Sequence, residues 1–270
     1  MSKLFRQRWA QIFGVGALLF FGAEQVLKHT GNPNLVPTVI LLGAFLIPAT
    51  FIAFFSTQER NIDKERHHEM PLSFIATCFL VGGVVGSVTA GLLEYQAIRS
   101  AAVSNMFTIA VIEEAAKLIF PITIFVQGRY RSEVDGLLLG VTSGMGFAAL
   151  ETMGYGLVAL VNSQGNIGTL EEVLLIRGLL SPVGHAAWTG LVCAFTWRQR
   201  EKTGKAFSFV PVAIFALVVV FHAVWNLSGS FSHISLTYLT YAAIGVIGLT
   251  MLILRLRDSR LLVPKKVADV

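Results

Sequence analysis

Glu113, Glu114 and Lys117 stand together in the stretch VIEEAAKLIF, whose other residues are all apolar, and Glu151, His185 and His222 interrupt three further apolar runs. An ionisable side chain at the centre of a membrane helix costs about 2 to 4 kcal/mol even on lenient insertion scales, so its presence speaks for function. Three carboxylates and two imidazoles, with no Ser or Cys nucleophile among them, suit the activation of water. A glutamate can take the proton from water and return it to a leaving amine, while imidazoles and an amide stabilise the oxyanion. With a divalent ion, two histidines and a glutamate make a three-ligand set with a position left for water, and zinc is the ion such a set would take. Either form hydrolyses an amide. The spacing differs from the HExxH helix, so metal-bound and metal-free forms both stay open.

Helical spacing groups these residues within each run. At about 100° per residue, Lys117 lies one turn beyond Glu113 and falls between it and Glu114 on the helix face. An ion pair that lets the helix insert would explain one acid; the second leaves a charge for something else to answer. In GFAALETMGYG, Phe147 and Glu151 share a face, and Gly140, Gly144, Gly146, Gly154 and Gly156 would permit close helix approach. In SPVGHAAWTG, Pro182 and Gly184 loosen the backbone before His185, with Thr189 one turn on. In FHAVWN, His222 and Asn226 are again one turn apart. A single membrane histidine is a packing residue by default. Two of them with three glutamates, on four consecutive segments, argue for one shared polar centre.

The elements that must carry this centre are transmembrane helices. The 270 residues are 54% hydrophobic and 14% charged, with mean hydropathy +0.67, above what a soluble domain shows. Cys78 and Cys193 both lie in apolar runs, which excludes a disulfide framework or a cysteine metal site. The net charge of +5 does not indicate nucleic acid, because the bases flank apolar segments, where anionic headgroups and topology account for them. Eight segments approach the ~20 residues that cross a bilayer, at 9–28, 36–56, 72–93, 101–126, 136–161, 173–197, 207–227 and 234–254. The first is too long, and too poor in a small-residue cleavage pattern, for a signal peptide, so it is expected to be retained.

Seventeen of the 21 Lys and Arg residues fall in alternate loops or at the ends: Lys3, Arg6 and Arg8; Arg60, Lys64 and Arg66; Arg129 and Arg131; Arg198, Arg200, Lys202 and Lys205; and Arg255, Arg257, Arg260, Lys265 and Lys266. Positively charged short loops stay inside, so both termini are expected to be cytoplasmic. Lys28, Arg99 and Arg177 then lie near outer ends. Counted from the outer side, Glu113 and His185 are about 12 residues deep, Glu151 about 10 and His222 about 5, which allows them to meet in the outer half of the membrane. The expected architecture is an all-α polytopic membrane protein of about eight helices, one domain over 1–270, with its motif-bearing core near 101–227 on the fourth to seventh segments.

The same residues resemble the PrsW family of intramembrane proteases, in the wider superfamily of CAAX prenyl endopeptidases and bacteriocin-processing relatives. EEAAK (Glu113 to Lys117), FAALE (Phe147 to Glu151), HAAWTG (His185 to Gly190) and HAVWN (His222 to Asn226) match four motifs of that family in order. The resemblance implies a cell-membrane endopeptidase that cuts a membrane-anchored protein, anti-sigma factors at an outer site being the associated substrates. By position, Glu113 or Glu114 would be the base and Lys117 would hold their charge. Glu151, His185 and His222 would bind the water or a metal, and Asn226 would assist the oxyanion. Glu151 stands where CAAX relatives have histidine, which speaks against prenyl-protein processing. Two other functions are compatible with intramembrane Glu, Lys and His: a proton-coupled transporter, and a catalytically silent scaffold of the same superfamily. Transporters tend to have pseudo-symmetric halves, whereas here the polar residues are confined to four segments.

Overall fold

The computed structural model describes residues 7–63, 70–99, 106–205 and 208–261. All regular structure among them is helical: α1 (Arg8–Thr30), α2 (Val36–Asp63), α3 (Leu72–Arg99), α4 (Met106–Val126), α5 (Glu133–Asn162), α6 (Ile167–Leu180), α7 (Ala187–Thr203), α8 (Phe209–Ser228) and α9 (Ile234–Leu261). Helices α6 and α7 are joined by one turn of π-helix, Pro182–Ala186, into a single rod from Ile167 to Thr203. Seven rods are thus long and apolar enough to cross a membrane. The eighth, α4, has the length at 21 residues, and it differs from the seven in carrying three ionisable residues, Glu113, Glu114 and Lys117. The expected all-α polytopic architecture is observed. The expected starts of the fourth and seventh segments, at 101–105 and 207, lie outside the described residues, as do Lys3, Arg6, Lys64, Arg66, Lys265 and Lys266.

Polar caps extend two helices beyond their apolar runs. Ser132 Oγ accepts from Asp135 N at 3.2 Å while Ser132 N donates to Asp135 Oδ2 at 2.8 Å, a reciprocal capping box that starts α5 at Glu133. The Asn166 side chain accepts from Thr169 N and starts α6 well before 173. Within the long rod, Pro182 removes one backbone donor, and Ala186 N reaches Ser181 O at 3.3 Å, five residues back.

Helix α5 is the centre of the bundle. Glu133 through Ala149 are buried without interruption, the mark of a helix surrounded by others, and α2, α3, α4, α6 and α7 pack on it. Glycines set the closeness of these contacts. A side chain at Gly140 would run into Thr189 O, one at Gly144 into His185 O and one at Gly146 into Phe79 O, so α7 and α3 lie with backbone against backbone. Gly156 faces Leu174 of α6; Gly154 has nothing within 4 Å of where its Cβ would be and brings no helix close.

The start of α5 is tied down by charge. Glu133, 2% exposed, accepts from Arg255 Nε at 2.9 Å and pairs with Arg198 Nη1 at 3.3 Å, joining α5 to α9 and α7. Helices α1 and α2 pack with α6 around Phe20, Val39, Leu170 and Leu174.

Candidate active site

Four elements bring the sequence-selected residues to one place. Helix α4 supplies Glu113, Glu114 and Lys117, α5 supplies Phe147 and Glu151, the π-turn supplies His185, and α8 supplies His222 and Asn226. Glu113, Glu151, His185, His222 and Asn226 all line one cavity of about 410 Å³. Ser143 Oγ donates to Lys117 O at 2.7 Å, which pins α4 to α5 at this level.

The two adjacent glutamates have different surroundings. Glu114 Oε1 takes Lys117 Nζ at 2.6 Å and His222 Nδ1 at 2.8 Å, with the carboxylate side chain 1% exposed. The charge left over by the sequence reading is thus answered by a histidine from another helix. Glu113 is farther from Lys117, at 3.5 Å, lies 3.6 Å from His222 Nε2, and opens into the cavity. A carboxylate that only accepts places the proton of the His222 ring on Nδ1, which turns the Nε2 lone pair toward Glu113.

Phe147 supports both sides of this arrangement. Lys117 Nζ lies 4.5 Å from its ring centroid, and the His185 ring centroid is 5.8 Å away. The Trp188 ring lies 5.0 Å from that of His222, and Trp225 stacks on Tyr241 at 4.3 Å, so one cavity wall is aromatic.

Among the lining residues that sequence reasoning missed are Arg177, Tyr155 and Glu94. Arg177 Nη2 lies 3.0 Å from Glu151 Oε2, and its guanidinium lies 3.8 Å from the Tyr155 ring centroid. Glu94 of α3 lines the same cavity. Helical spacing could have found two of them: Tyr155 is four residues after Glu151, and Arg177 is four before Ser181 and eight before His185.

The donor set fits a divalent ion. Glu113, Glu151 and His185 each offer a ligand atom, all within 4.8 Å of one another. His185 Nδ1 is buried without a hydrogen-bond partner, and Glu151 Oε2, paired with Arg177 Nη2 at 3.0 Å, lies 3.3 Å from His185 Nε2. Two carboxylates and an imidazole suit zinc with a position left open. The sequence suggests Glu151, His185 and His222 as ligands; in the compact group Glu113 takes the third place. The cause is the Glu114 contact, which holds the His222 ring toward α4.

The model of one protein family, described as PrsW family intramembrane metalloprotease, matches residues 70–254, from two residues before α3 into α9. No curated protein and no solved structure gives a significant match.

Proposed function

Because the chain belongs to the PrsW family of intramembrane metalloproteases, we propose that it hydrolyses a peptide bond of a membrane-anchored protein at the cavity between α4, α5, the π-turn and α8. The observation that carries this reading is the division of labour between adjacent acids. Glu114 is engaged by Lys117 and His222, while Glu113 opens into the cavity beside Glu151 and His185. Glu113 is therefore the carboxylate that takes the proton of water and passes it to the leaving amine. Glu114 holds the His222 ring in one orientation, as a carboxylate behind an imidazole does in many hydrolytic sites. His185 and the Asn226 amide are placed to donate where the oxyanion develops, and the His222 Nε2 lone pair, beside Glu113, can accept from the attacking water. In the metal-bound alternative Glu113 and His185 would be ligands together with Glu151, rather than free base and donor, and the ion would supply a Lewis acid that polarises the carbonyl and lowers the pKa of water.

We read the chain as one domain over 1–270 of a multi-pass cell-membrane protein, and the basic residues of alternate loops support cytoplasmic termini and a site in the outer half of the bilayer. The finer reading is cleavage of a membrane-anchored anti-sigma factor on its outer side. The test is cleavage of a panel of single-span membrane peptides by the purified wild type and by Glu113→Gln, with and without chelator. Cleavage by the wild type alone supports the proposal, and loss on chelation assigns the reaction to a bound ion. Equal cleavage by both proteins, or by neither, overturns it.

A further inference from the structure

The wall of the cavity carries three carboxylates, Glu94, Glu113 and Glu151, and one permanent cation, Arg177. Arg177 is engaged by Glu151 at 3.0 Å and by the Tyr155 ring. Lys117, just beneath the wall, answers Glu114 at 2.6 Å and Glu113 at 3.5 Å. Glu94 has no ion pair with any described residue, and its Oε1 is buried without a hydrogen-bond partner. The helix aims it inward: Leu92, Leu93, Tyr95 and Gln96 are exposed, whereas Ala90 is buried and Glu94 and Ala97 are half-buried on the same side.

We propose that Glu94 is a specificity-determining carboxylate that receives a lysine or arginine side chain of the substrate, so that the substrate class is a membrane-anchored segment with a basic residue close to the cleaved bond. The inference rests on the proteolysis proposed above. At a half-buried position an unanswered carboxylate is unfavourable, and its attraction for an arriving cation is stronger than in bulk solvent. A segment with an acidic residue at that position would instead meet three carboxylates, which rejects it. The aromatic part of the same lining is suited to the same guest. Trp225 stacked on Tyr241 at 4.3 Å, with Trp188 edge-on to Trp225, offers ring faces to the methylene stem and head of a long basic side chain.

The experiment separates this inference from the proposed proteolysis. Binding of single-span peptides carrying Lys, Gln or Glu at a position scanned along the outer juxtamembrane stretch is measured with Glu113→Gln, which does not need to turn over. At one position the Lys peptide should bind about tenfold or more tightly than the Gln peptide. Adding Glu94→Gln should bring that ratio near one, and adding Glu94→Lys should invert the order in favour of the Glu peptide. A Lys preference that survives both substitutions, or no preference at any position, overturns the role of Glu94. Cleavage is read separately with wild-type protein: selective binding without cleavage of any peptide would refute the protease and leave the Glu94 assignment standing.

Discussion

His222 Nδ1 lies 2.8 Å from Glu114 Oε1, and that same oxygen takes Lys117 Nζ at 2.6 Å, so α8 is bound to α4 through one buried carboxylate. Such a contact is structural and chemical together. It holds two helices, and it sets which imidazole nitrogen faces the cavity.

Removing one partner leaves a buried charge unanswered. Glu114→Gln and Lys117→Met should each lower stability by about 3 to 5 kcal/mol. The double variant should be less destabilised than the sum of the two by more than about 1 kcal/mol. Thermal unfolding in detergent measures all three, and strictly additive losses would dissociate Lys117 from Glu114.

Asn226→Ala should reduce turnover by about a hundredfold or more while leaving the unfolding temperature close to that of the wild type. Asn226 lines the cavity one turn from His222. Wild-type rates from the folded variant would remove the amide from the oxyanion site.

Gly144 and Gly154 make a matched pair on one helix. A Cβ on Gly144 would come to 2.4 Å from His185 O, whereas one on Gly154 meets nothing within 4 Å. Gly144→Ala should cost about 1 to 3 kcal/mol and displace His185, with loss of activity. Gly154→Ala should be neutral or stabilising by up to about 1 kcal/mol. Equal effects in the unfolding and cleavage assays would mean that the α5–π-turn contact is looser than described.

Glu133→Gln acts at the far end of α5 from the cavity. It leaves Arg255 and Arg198 without their shared acid and should lower stability by roughly 3 kcal/mol, with little change in the KM of any cleaved peptide. An altered KM at unchanged stability would show instead that this end of the bundle takes part in substrate binding.

Much of the architecture was legible because hydrocarbon imposes a length: seven of the eight runs correspond to rods apolar enough to span, and the remaining one to α4. The ends were less legible. Ser132 with Asp135, and Asn166, are polar and fall outside any apolar run, although they are what start α5 and α6. The candidate site was legible where residues sat deep in apolar sequence, as Glu113, Glu151, His185 and His222 do. Glu94 and Arg177 escaped because they follow or approach the ends of apolar runs, where a charge reads as a solvated terminus. They face a polar cavity, and hydropathy counts composition along a helix without regard to the side on which it falls. The engagement of Glu114 rather than Glu113 by His222 depends on how α8 is rotated against α4, which no periodicity within either helix contains.

The single π-turn between α6 and α7 makes chain length part of the site. It holds one residue more than an α-turn would between Ser181 and Ala186. Deleting any one residue from 182–184 would let the rod close as uninterrupted α-helix, with α6 and α7 each held by its own contacts. The helices on either side would keep their register, because the α-turn that replaces the π-turn covers the same turn with one residue fewer, and the side chains re-aimed would be those of the turn itself, His185 among them. A protein retaining every motif residue could therefore lose its site through a one-codon deletion that touches none of them.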